Sequence, residues 1–234
     1  MHSKDGIMPS LVNSAAQLCD LYPQVHFIVN LFDAERVDAA ALVRLNSGNH
    51  SRVEGVWVHG MKTLFWKRTL TPELIRRYGV EVVFLVDSDI AMHPSVYPLG
   101  QLVGVMAATR ATLLQPSIRA YVHGTYHTFL RVRNAHMSCL ATTAQFVELQ
   151  TPLFTGEGWT AFHTEMLSAI EDEHLGDSDY GIDITWCAMM RAAFPGRPTC
   201  LVTPGEAATH LNTHAIEKFM DKVSCSAVPA HSAP

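Results

Sequence analysis

The sequence predicts an α/β fold with a mixed sheet flanked by helices, and three observations lead there. Stretches with strand character alternate with stretches of helical periodicity, as in folds whose helices cover a sheet. Residues 82–86, VVFLV, form an unbroken apolar run rich in β-branched and aromatic residues, the pattern of a strand buried on both faces. The chain's 234 residues, 48% of them hydrophobic, suffice for one large domain with a sizeable core.

Taken in order, Ser10 to Tyr22 has apolar residues at helical spacing, with Ser10 as a cap and Pro23 beyond its end. Val25 to Phe32 (VHFIVNLF) reads as a strand, Asp38 to Leu45 as a helix, and SGNHS as a loop. GVWVHG is a short strand. The stretch from Met61 to Gly79 reads as helix, break and helix, with Thr71 capping the second and Pro72 in its first turn. After the buried strand, Leu99 to Ala108 is helical, while TLLQPSIRAY and YHTFLRVR are strands. FVELQTPLF mixes both signals. Gly158 to Ile170 and TWCAMMRAAF are helices, and CLVTPGEAATHL is strand, turn and polar end. This divides the chain into an N-terminal helical extension (1–24), one α/β domain (25–222) and a small-residue tail expected to be disordered (223–234).

Composition narrows the function. A net charge of −5 argues against a nucleic-acid surface, and the pairs Lys67-Arg68 and Arg76-Arg77 read as solvated helix faces. Five cysteines without C-x-x-C spacing give neither a disulfide framework nor a zinc site, so reduced thiols are the expectation. No apolar run approaches the ~20 residues of a membrane helix. No basic segment followed by an apolar core is visible at the N-terminus, so the expected location is cytoplasmic by default.

The chemistry concentrates in a few places. Asp87-Ser88-Asp89 ends the buried strand with no turn residue before it. Two carboxylates so close repel unless something positive sits between them. Mg²⁺ or Mn²⁺ is commonly held by one or two carboxylates plus substrate phosphates, and D-x-D at a strand end supplies that half-shell. The bland alternative is a turn aspartate with a capping role. GDSDYGIDITWCAM brings Asp177, Asp179 and Asp183 to the start of a helix, where Asp183 alone reads as a cap or dipole partner. There is no H-E-x-x-H among the 13 histidines. His210 is the best placed, at the end of a candidate strand. In open α/β sheets, ligands bind beyond the carboxyl ends of strands, which is where Asp87 and Asp89 fall.

In order along the chain, GMKTLFWKRTLTP, VEVVFLVDSDI, LLQPSI, YHTFL, FVELQTPLF, DYGIDITW and LVTPGEAATHL resemble one family. It is an uncharacterised glycosyltransferase-like group, domain of unknown function seven-oh-seven, and the resemblance covers roughly residues 25 to 215. It implies a GT-A-like fold, a Rossmann-like mixed sheet of the nucleotide-diphospho-sugar transferases, here without a clear counterpart of the first strand. It further implies a hexosyl- or pentosyl-transferring enzyme using Mn²⁺ or Mg²⁺, a nucleotide-sugar donor, and a glycan or other hydroxyl acceptor. Asp87 and Asp89 look like the D-x-D that holds metal and donor diphosphate, and His210 like the histidine that completes the metal shell. Asp183 is similar to the acidic residue that acts as base toward the acceptor hydroxyl. Glu148 and Lys62 fall on further motif positions, carried over as a catalytic and a cofactor-binding residue. The chemistry fits: a departing diphosphate needs its charge neutralised, and an attacking hydroxyl needs a proton acceptor.

Two other readings stand beside this one. A non-catalytic sugar- or nucleotide-binding relative would keep the fold without turnover. A haloacid-dehalogenase-type phosphohydrolase also has D-x-D after a strand, with the first aspartate as nucleophile. Such enzymes want Thr or Val two places after the second aspartate, where this chain has Ala91.

Overall fold

A computed structural model describes residues 22, 24–30, 53–87, 90–91, 99–120 and 139–210. The helix expected over 10–22 (but for its last residue, Tyr22), the helix over 38–45, the strand over 126–133 and the C-terminal tail lie outside the described residues. Within them the chain is a mixed α/β structure whose mixed sheet is flanked by helices.

Strands β1 (Phe27–Asn30) and β2 (Val53–Val56) pair in parallel as a small sheet of their own. The Asn30 side chain clamps the chain beyond β2, accepting from Val58 N–H at 2.8 Å and donating to its carbonyl at 3.1 Å. β2 lies earlier than the GVWVHG expectation, and Trp57 beyond it is 54% exposed.

Helices α1 (Lys62–Thr69) and α2 (Pro72–Tyr78) follow the expected break. Thr71 Oγ1 accepts the N–H of Leu74 at 3.2 Å, Pro72 occupies the first turn, and Gly79 closes α2 with φ of 60°. Only glycine adopts that left-handed conformation cheaply, so the stop is written into the sequence.

The larger sheet contains β3 (Val82–Phe84), β4 (Ile90–Ala91), β5 (Leu113–Ala120), β6 (Thr142–Thr143), β7 (Leu153–Thr155) and β8 (Cys200–His210). Its order is β3-β7-β5-β8-β4, with β6 also on β8. β7 is antiparallel to both β3 and β5, and β8 is parallel to β5. β3, β5 and β8 therefore point the same way, and their carboxyl ends share one edge.

Alternate residues of β3 enter two cores, as the apolar run predicts. Val83 and Leu85 join Phe154, Trp159, Phe162 and Trp186 on the face covered by α1, α4 (Gly156–Glu165) and α6 (Ile182–Ala193). Val82, Phe84 and Val86 join Leu102, Met106 and Leu114 beneath α3 (Leu99–Thr109). A short helix α5 (Asp172–Asp177), with no sequence signal, precedes α6.

Two expectations change. The T-P-G-E stretch does not break β8: its pairing with β5 slips so that Pro116 faces Thr203 while Ser117 faces Ala207. Pro116 cannot donate to the ladder, and an irregularity there accommodates it within one continuous strand. The reduced-thiol expectation fails as well. Cys187 in α6 and Cys200 at the start of β8 form a buried disulfide with Cα atoms 5.8 Å apart. Spacing along the chain could not show this, because the pairing depends on how α6 packs on the sheet. No helix among the described residues is long and apolar enough to cross a membrane.

Candidate functional site

The shared carboxyl edge of β3, β5 and β8 brings together Asp87 with its partner Lys62 and the backbone of His210. Asp87 stands three residues beyond β3, where its N–H donates to the Gln150 carbonyl at 3.0 Å. Alternation from Val83 and Leu85 gives it the face covered by α1 and α6. Lys62, the first residue of α1, donates to Asp87 Oδ2 at 2.5 Å, with both side chains about a quarter exposed at 25%.

That lysine breaks a local rule. A helix N-terminus carries partial positive charge and favours carboxylates, yet the first turn of α1 has no acidic residue. Asp87 supplies the missing negative charge from another element, and the Trp66 ring lies 5.9 Å from Lys62 Nζ. Residues that go against local preference and are compensated elsewhere concentrate at functional sites.

Glu148, only 9% exposed, lies in the irregular segment before β7. Its N–H donates to Gln115 Oε1 at 2.7 Å, and Gln115 is fully buried in β5. The other end of that amide, Gln115 Nε2, has no hydrogen-bond partner among the described residues, nor does Gln150 Oε1. Sequence reasoning missed both glutamines. The visible signal was a polar residue inside the apolar run of β5.

Asp183 is the second residue of α6, whose N-cap is Gly181 at φ 90°, so it belongs to the first turn rather than the cap position. Burial pushes its carboxyl above the usual range. The charges of Glu148 and Asp179 push the same way, while its own N–H and that of Ile184 pull back by hydrogen-bonding the carboxylate.

His210 ends β8. The antiparallel register sets it opposite Ile90, whose N–H donates to the Asp87 carbonyl at 3.1 Å. Directly paired residues have Cα atoms about 4.5–5.5 Å apart, so the backbone of His210 is one strand away from the D-x-D segment. Asp89 and the side chain of His210 lie outside the described atoms. Among the described residues no group of three or more His, Cys, Asp or Glu could hold a metal ion.

No family model matches the chain, and no curated protein matches it. The functional reading therefore rests on the residues themselves. A cavity of about 160 Å³ separates β1 from β3 and is lined by His26, Ile28, Tyr78 and Val82 through Val86. A larger one, about 500 Å³, opens at the far end of the sheet between Glu81, Met106, Arg110 and Arg197, and holds none of the candidate residues.

Proposed function

We propose that the chain is a metal-dependent glycosyltransferase of GT-A-like fold, moving a hexosyl or pentosyl group from a nucleotide-sugar donor to a hydroxyl acceptor. The observation that carries this reading is the Lys62–Asp87 ion pair just beyond β3, where the Asp87 N–H donates to the carbonyl of Gln150, two residues from the buried Glu148 whose charge acts on Asp183. Cationic and proton-accepting groups are what the two halves of sugar transfer require. The parallel β1–β2 pair, across a cavity from β3, supports a Rossmann-like first half.

Asp87, Asp89 and His210 would hold Mn²⁺ or Mg²⁺, an oxygen-rich donor set suited to either ion. When bound, the ion supplies charge neutralisation to the departing diphosphate. Lys62 adds a second positive charge beside Asp87 for the same phosphates. The acceptor hydroxyl forms a bond to the anomeric carbon as the carbon–oxygen bond to phosphate breaks, its electron pair leaving on the diphosphate. Asp183 takes the hydroxyl proton. A carboxyl whose proton affinity is raised by burial and by Glu148 is a stronger base than a free one.

A panel of nucleoside diphosphates with and without Mn²⁺, read by thermal shift, tests the donor half. One should raise Tm only with the metal, because a ligand binding the native state alone adds RT ln(1 + [L]/Kd). Asp87→Ala and Asp89→Ala should abolish the Mn²⁺ dependence. Equal binding in chelator counts against the reading.

A further inference from the structure

The larger cavity, about 500 Å³, lies toward the amino ends of β3 and β5, the pole of the sheet opposite Asp87. Met106 and Ala111 line it as buried residues, Val82 and Val103 as half-buried ones. A volume in this range, with apolar walls and a few charged groups, is the usual make-up of a small-molecule site. Three charged side chains share the lining. Arg197 is committed within the fold: its guanidinium donates to the Glu157 carboxylate and lies 5.2 Å from the centre of the Phe194 ring. Arg110 and Glu81 are exposed, and neither side chain forms an ion pair among the described residues. Two opposite charges thus border one apolar cavity without meeting.

Arg110 also stands where the fold alone favours another residue. It follows the last turn of α3, its N–H donating to the Ala107 carbonyl at 3.4 Å, with φ of 57°. Among the described residues no other non-glycine has positive φ. That left-handed position after a helix suits glycine or asparagine, and a larger side chain makes it less stable. A residue held there with its charge unused by the fold has the pattern of a functional position.

We propose that this cavity binds a small zwitterion with an apolar side chain, a free α-amino acid of the leucine, methionine or phenylalanine kind. Arg110 takes the carboxylate through its planar fork of donors, Glu81 takes the ammonium, and the side chain lies against Val103 and Met106. Arg197 is already neutralised by Glu157, so a plain anion would meet Glu81 uncompensated, and a plain cation would meet Arg110. The site shares no residue with the transferase reading and does not depend on it.

Calorimetry on the full chain tests this with leucine, methionine and phenylalanine, beside phenylpropanoate, which lacks the ammonium, and phenylethylamine, which lacks the carboxylate. Wild type should bind at least one of the three amino acids, one molecule per chain, and both analogues at least about tenfold more weakly than phenylalanine, the scale of one charged hydrogen bond. Arg110→Gly and Glu81→Gln should each weaken amino-acid binding by about tenfold or more. Arg110→Gly should keep or raise Tm, because glycine suits the backbone there. Glu81→Gln keeps the backbone carbonyl that accepts from Gly156 N–H, so its Tm should also hold. A folded wild type that binds none of the amino acids overturns the proposal. So do an analogue that binds as well as phenylalanine, undiminished binding in either variant, and a Tm that falls in Arg110→Gly, which would show the guanidinium serving the fold.

Discussion

Asp183 carries a cost that the fold tolerates. Its carboxyl holds its proton more tightly in the folded chain than at the ordinary value of 3.8, chiefly through burial. Below that value both states are protonated and nothing is lost; as pH rises through the folded titration, ionised Asp183 destabilises the fold. Asp183→Asn should therefore raise Tm at pH 7, by an amount that shrinks as the pH is lowered toward 3.8. A Tm difference that grows toward acid would reverse the assignment of burial as the cause. At this scale the sequence revealed residues with a motif around them, such as Asp87 after its apolar run. It hid Gln115, which faces Glu148 across 33 positions of chain and has no local signature. Cys187 and Cys200 were misread for the same reason, their contact being made only by packing.

Helix termini were the most legible elements, because their chemistry is local. Thr71, Pro72 and Gly79 mark α2 by capping, fixed φ and positive φ, and the structure uses all three. Thr71→Ala should cost about 0.5–2 kcal/mol in urea unfolding, the usual worth of an N-cap. The start of α4 is different: Gly156 N–H donates to the Glu81 carbonyl at 2.7 Å, and a Cβ there would overlap the Val80 carbonyl oxygen. Backbone cannot yield as a flexible side chain does, so Gly156→Ala should cost about 3 kcal/mol or more. A silent variant would mean that α4 does not sit against the start of β3. Continuity of β8 was illegible, since Pro-Gly reads as a turn unless the irregular pairing opposite Pro116 is known. Helix α5 lacked any apolar period to announce it.

Across the whole molecule, the mixed sheet and its two cores follow from alternation of helical and strand segments, whereas strand order depends on long-range pairing. The Cys187–Cys200 bond joins the helix carrying Asp183 to the strand ending at His210, closing a span of 13 positions. Chain-entropy reasoning gives about 3 kcal/mol for a loop of that size, so Cys187→Ser with Cys200→Ser should lose roughly that much in urea unfolding. Losing nothing would show the two thiols unpaired in solution. The central claim is that this edge transfers sugar with Asp183 as base, and the most direct measurement is release of nucleoside diphosphate from nucleotide sugars in the presence of Mn²⁺ and glycan acceptors. Wild type should turn over at least one donor, and Asp183→Asn should be slower by about 10²–10⁴-fold while keeping its nucleotide affinity. Equal rates for the two proteins, or a wild type that binds nucleotide yet turns over no donor, would contradict it.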